Sequence, residues 1–227
     1  MKKRHQYFTL IASLPQLPRL NQAVRLPISR EQLEKRMQML EPEDREVVQK
    51  AEEYILWRRQ PITRTDSEVI SYLRHLQTLI SQPALTEMID FRFRQRTIMV
   101  AIRRKVRGMP VPSSDKPWGL EPWVQHIERY WDSPDFNLTY VFPWVVKVRK
   151  FIEAKDAISL GQFLMNQVWN QLDQITFEHE FGLEAVLAYL FKWDILQQWL
   201  SQNEEVAQTN FQILLEQTHL EYEPSFN

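Results

Sequence analysis

The chain has 227 residues, 44% of them hydrophobic, and no cysteine, so it can bury a core without covalent staples, and disulfides, thiolate metal sites and cysteine nucleophiles are excluded. Its formal charge of −1 is unevenly laid out: residues 1–115 hold 21 Lys and Arg against 13 Asp and Glu (+8), and residues 116–227 hold 7 against 16 (−9). With only four glycines, at 108, 119, 161 and 182, neither G-x-x-x-x-G-K nor G-x-G-x-x-G can be written, which removes the phosphate-cradling loops.

Low glycine together with abundant Leu, Gln, Glu and Arg predicts an all-α fold. Met1-Lys2-Lys3-Arg4 ahead of Tyr7–Leu14 only faintly imitates a secretory leader. The apolar piece contains Thr9 and Ser13 and runs into Pro15 and Pro18, so a buried N-terminal segment is expected, as a short strand or a helical turn. A proline-punctuated loop follows. Ser29 then reads as an N-cap, with Gln32 as its partner, for a helix carrying Leu33, Met37 and Leu40.

Pro42 at the first helical position, with Glu43 and Asp44 behind it, opens a helix whose stripe runs through Val47, Val48, Ala51, Tyr54 and Ile55 and closes at Arg58 and Arg59. Thr65 and Glu68 form a capping box before Val69, Tyr72, Leu73, Leu76, Leu79 and Ile80. Leu85–Arg107 is the best-defined helix of the first half. Met88, Phe91, Ile98, Met99, Ile102 and Val106 share one arc, and Gly108 stands at C′. Pro110, Pro112 and Pro117 mark residues 109–119 as a linker.

Pro122 opens a short helix with Trp123, Ile127, Tyr130 and Trp131, and Ser133-Pro134 reads as a cap and first helical position. Pro143 precedes a helix with Val145, Val148, Phe151 and Ile152. Asp156 caps another, with Leu160, Phe163, Leu164, Val168, Leu172 and Ile175 as its stripe. Residues 181–200 are apolar nearly all round, as expected of a helix central to its lobe. A separate last helix is expected near 206–215, before an acidic tail. The architecture expected is a multi-helix bundle of two lobes, a basic one over 1–108 and an acidic one over 120–227, able to pack as one domain.

Motifs that would carry chemistry fail at specific positions. His179-Glu180 needs a second His one turn on to face one metal, and Leu183 stands there. Glu180 and Glu184 are expected on one helix face as solvated or salt-bridged carboxylates. Glu216-x-x-His219 is half of a di-iron bundle signature, and no second Glu-x-x-His occurs. No catalytic, cofactor-binding or metal-binding residue is assigned. Eight tryptophans at helical spacing among apolar neighbours are expected to pack cores rather than stack on bases.

The candidate site residues are Arg92, Arg96, Arg103 and Arg107, whose spacings of 4, 7 and 4 put them within about 60° on one helix. Three readings stay open. Their stems could cover the core at its edge, their forks could pair with the acidic second lobe, or they could dock an acidic partner. Nucleic acid is disfavoured, because the acidic half would oppose a phosphate backbone.

Three stretches resemble one family. They are Tyr7-Phe8-Thr9-Leu10-Ile11-Ala12-Ser13-Leu14-Pro15, then Arg96-Thr97-Ile98-Met99-Val100-Ala101-Ile102-Arg103-Arg104-Lys105 with Gly108, and His179-Glu180-Phe181-Gly182-Leu183-Glu184-Ala185-Val186-Leu187-Ala188-Tyr189-Leu190 with Trp199. Thr97 stands where the family's pattern has Asn. The family is a set of bacterial proteins encoded beside V/A-type ATPase genes. They are distantly similar to the central-stalk component lettered C in archaeal and bacterial enzymes and d in vacuolar ones. The resemblance implies a non-catalytic helical rotor part without cofactor or transmembrane segment. It would be held at the cytoplasmic membrane face between the central shaft and the membrane rotor ring. The chain is shorter than that three-lobed stalk component, which leaves a full funnel open. The alternatives are a helical adaptor or assembly factor for another complex, or a metal-dependent helical enzyme.

Overall fold

The structure, a computed structural model, describes residues 6–56, 63–112 and 117–221, and the side chains of residue 55 and of residues 203–221 stand outside that description. Met1 to Arg4, Arg58, Arg59, residues 113–116 of the linker, and the side chains of Glu216 and His219 therefore lie outside the described residues. The described residues form nine α-helices and no strand: α1 (Phe8–Ser13), α2 (Arg30–Met37), α3 (Pro42–Ile55), α4 (Asp66–Leu79), α5 (Pro83–Val106), α6 (Trp123–Arg129), α7 (Trp144–Glu153), α8 (Ala157–Glu178) and α9 (Leu183–Glu221). The all-α, multi-helix reading of the sequence is what is found.

The helix ends follow local chemistry. The Ser29 hydroxyl accepts from the Gln32 amide at 3.2 Å. The Asp156 carboxylate accepts from the Ser159 amide at 3.0 Å. Thr65 and Glu68 form the full reciprocal box. The amide and hydroxyl of Thr65 both donate to Glu68, at 2.7 and 2.8 Å, and hold its carboxyl below the usual range. Gly108 takes φ +65°, which lets the Met109 amide reach back to the Arg104 carbonyl at 2.9 Å. Thr65→Ala is expected to lower the melting temperature by about 2–4 °C, the scale of one lost cap in a chain of this size. Because the Glu68 pKa is depressed, the box's contribution is present above the ordinary carboxylate range and fades as pH falls through it. Melting wild type and variant at pH 7 and pH 3 checks both points, and the gap should narrow at pH 3.

The structure settles one open choice and departs from the expected helices in three places. Residues 8–13 are helical, which settles the choice left open for Tyr7–Leu14. Ser133-Pro134 opens no helix. Phe136 and Asn137 have φ of +55° and +53°, which a right-handed helix cannot accommodate. The turn delivers Phe136, fully buried, onto Trp131 with ring centroids 5.4 Å apart. The two helices expected over 181–215 are one helix of 39 residues. Nothing between Leu200 and Val206 is Gly or Pro, and the Ser201 hydroxyl bonds back to the Gln197 carbonyl at 2.9 Å within the helix. Glu180 lies in the turn before α9 and Glu184 in its first turn, so they do not share a helix face.

The hydrophobic residues form two clusters that do not divide at residues 109–119. One joins α1–α4 and the first half of α5 to the later part of α8 and the start of α9, from Tyr7 to Phe93 and from Met165 to Leu196. The other gathers Ile98–Ile102, Trp118, α6, Phe136, Leu138, α7 and Leu160. Helices α5 and α8 run through both, because 24 residues make a rod of about 36 Å, longer than one small core. The basic and acidic halves of the sequence are therefore packed into one another in the first cluster. All seven tryptophans with described side chains are buried or half-buried, as the spacing suggested.

The C-terminal helix is stitched to the N-terminal segment. The Tyr7 amide donates to the Phe181 carbonyl at 2.8 Å, the Tyr189 hydroxyl to the Pro15 carbonyl at 2.8 Å, and the Trp193 indole to the Ile28 carbonyl at 2.9 Å. These bonds satisfy loop carbonyls that have no helical partner.

Candidate functional site

Helices α5, α8 and α9 leave a groove of about 680 Å³ between them. Its apolar wall includes Met99, Leu164, Met165, Val168, Phe191 and Ile195. α5 also brings Arg92, Arg96 and Arg103 to its lining, with Gln95 between them, and α9 contributes Asp194. The arginines share a side because spacings of 4 and 7 return close to the same azimuth on a helix.

The four arginines do not play one role. Arg92 is half-buried and donates to the Gln95 side chain at 3.0 Å. Desolvation pushes its pKa down to about 10, against the pull of Asp194, so it remains cationic at neutral pH. Asp194 is buried, at 6% exposure, and belongs to the acidic half of the sequence. Arg96 pairs with Asp66 at the start of α4 and reaches the Trp118 carbonyl at 3.5 Å. Its carboxylate is supplied by the basic half, so the pairing is not between sequence halves. Arg103 and Arg107 are exposed on the last turns of α5. Burial of part of the Arg103 head and the like charge of Arg107 hold the Arg103 pKa below its usual value. Arg96 thus ties α5 to α4, Arg92 lies in the attractive field of Asp194 on α9, and Arg103 and Arg107 present charge to solvent.

Asp194, Gln95 and the apolar wall escaped the sequence reading. The signal for Asp194 was present: it is a carboxylate within the nearly all-apolar run 181–200. A charge in a buried stripe marks a partner across the helix interface. Lys192, the neighbouring anomaly, is also buried and pairs with Asp173 at 2.6 Å.

Elsewhere, His179 ends α8, its amide donating to the Ile175 carbonyl at 2.9 Å. Among the described residues no three His, Asp or Glu side chains are grouped to hold a metal ion. No helix of the described residues is long and apolar enough to cross a membrane.

A family model described as "Protein of unknown function (DUF2764)" matches residues 44–221, from the first turn of α3 to the end of α9. No curated protein and no solved structure matches the chain.

Proposed function

We propose that this chain, which belongs to the DUF2764 family, is a non-catalytic central-stalk subunit of a V/A-type ATPase. In this reading it couples the rotating shaft to the membrane rotor ring from the cytoplasmic face and has no active site or cofactor of its own. The reading is supported by the three stretches that resemble proteins encoded beside such ATPases, and by an all-helical build suited to broad contact surfaces. One observation of geometry carries it: α5 lays arginines along an apolar groove and leaves Arg103, on its lining, and Arg107, one turn further along the chain, exposed. An apolar trough with cationic rim groups takes the edge of a partner helix that carries carboxylates beside its apolar stripe. The exposed arginines set orientation and association rate. The shaft is the helical partner that the stalk reading supplies.

The test is recovery of named subunits. The tagged chain, expressed with the ATPase genes of its own host, is expected to copurify with the shaft and ring subunits. Arg103→Glu with Arg107→Glu should reduce shaft recovery at least tenfold, with the melting temperature moving by less than about 2 °C because surface substitutions of this kind perturb folding little. Clean purification of the natural chain without any ATPase subunit would defeat the stalk reading. Recovery of a different complex would favour the adaptor alternative.

A further inference from the structure

We infer that a second, smaller pocket, between the end of α8, the start of α9 and the first turn of α3, binds an alkylammonium or guanidinium group. The inference stands independently of the stalk reading. The pocket holds about 250 Å³ and is lined by Asp44, Glu178, His179, Glu180 and Glu184, with Gln82 beside them. Glu178 and Glu180 are exposed, and Asp44 accepts the Tyr7 hydroxyl.

Glu184 is the distinguishing member. It is only 4% exposed and lines the pocket, and no described residue gives it a hydrogen bond or an ion pair. Its oxygens are not sealed inside the protein: they open onto the pocket, where a ligand arriving from solvent can pair with them. Its position in the first turn of α9 favours an anion, yet supplies no donor to its oxygens. The backbone makes room for it. A Cβ on Gly182 would collide with the Glu184 carboxylate, so glycine at 182 is what lets the acid fold back against the turn. Leu183, Val186 and Leu187 are buried on either side and fix α9 in place.

The surroundings select an organic cation. The carboxylates are not clustered for a metal ion, and the pocket is far larger than a bare ion yet smaller than a typical drug-sized site. At its rim Phe181 is 38% exposed and packs on Phe8, 52% exposed, with ring centroids 4.6 Å apart. Exposed aromatic faces attract alkylammonium and guanidinium groups. The shared chemistry is a cationic head on an apolar stem. It could arrive as a Lys or Arg side chain of a partner protein or as a free diamine.

Calorimetric titration of the full chain with agmatine, cadaverine and N-acetyl-arginine amide tests this, with pentanol as the uncharged control. The sequence sets Lys2, Lys3 and Arg4 just before Gln6, which lines the pocket. The titrations are therefore repeated on a Lys2→Gln, Lys3→Gln, Arg4→Gln chain. Saturable binding of a cation in at least one of the two chains is expected, with none of pentanol. Tighter binding of the diamines points to a free amine, and tighter binding of the amino-acid amide points to a partner side chain. Glu184→Gln should weaken binding at least tenfold without lowering the melting temperature of the free protein, since no described residue loses a hydrogen bond or ion pair. Gly182→Ala should weaken binding by displacing the carboxylate. The exposed Glu180→Gln, which leaves the fold alone, should weaken it several-fold. Absence of cation binding in both chains would overturn the inference. So would unchanged affinity in Glu180→Gln and Glu184→Gln, or a lowered melting temperature in Glu184→Gln, which would mark Glu184 as a structural group.

Discussion

Trp193→Ala is expected to destabilise the protein by about 3–5 kcal/mol, the range for deleting a large aromatic side chain from a packed core. Trp193 is 1% exposed and is the largest of the fully buried side chains. Three losses coincide there. The substitution opens a cavity in the cluster that joins the N-terminal helices to α8 and α9. It removes the indole donor to the Ile28 carbonyl, 2.9 Å away. It also strips the aromatic face from Arg30, whose guanidinium lies 5.9 Å from the ring centre. Arg30 is itself the fork that grips the buried Glu52 at 2.7 and 3.0 Å, so α2 and α3 lose support together. Trp193→Phe retains most of the volume but leaves the Ile28 carbonyl unpaired, for a cost of about 1–3 kcal/mol. Urea unfolding followed by far-ultraviolet circular dichroism separates the two. A Trp193→Ala loss below about 1 kcal/mol would mean that α9 is not anchored through this residue, since cores of native density do not forgive such a void. Asp194 and Phe191, which wall the groove, sit beside Trp193 on the same helix. The variant should therefore also lose whatever partner the groove takes.

Gly119→Ala is the second large effect, at about 2–4 kcal/mol from forced overpacking and broken hydrogen bonds. A methyl group there would run into the Thr97 side chain, lying 2.8 Å from its Oγ1 and 2.9 Å from Val124 Cγ2. Neither neighbour is the end of a flexible chain. Thr97 is fully buried in the middle of α5. Its hydroxyl donates to the Phe93 carbonyl and accepts the Leu120 amide, both at 2.8 Å. It thereby pins the segment leaving the linker onto α5, where the two hydrophobic clusters meet. Thr97→Ser in the Gly119→Ala background removes the methyl group that obstructs and keeps the hydroxyl. The double variant is expected to recover at least about 1 kcal/mol relative to the sum of the single effects, as contacting residues do in a mutant cycle. Strict additivity would show that the two residues do not meet.

The amino-acid sequence by itself determined where most helices begin and end. Ser29, Thr65 with Glu68, Asp156, Pro42 and Gly108 act on groups within four residues of themselves, so their effects are written locally and survive any tertiary arrangement. The apolar stripes likewise showed which residues would be buried. The tertiary structure decided what those stripes pack against. It split the core across α5 and α8 instead of at the proline-rich linker, fused the last two expected helices into one, and turned Ser133-Pro134 into a bend. It also divided the arginine row: Arg96 pairs with Asp66 of α4, Arg92 lies in the field of Asp194 from α9, and Arg103 and Arg107 face water. Glu184 became a buried acid beside Gly182 for the same reason. Helical periodicity places a side chain on a face, but its partner is fixed only when distant helices close over it, through contacts that no short window of sequence contains.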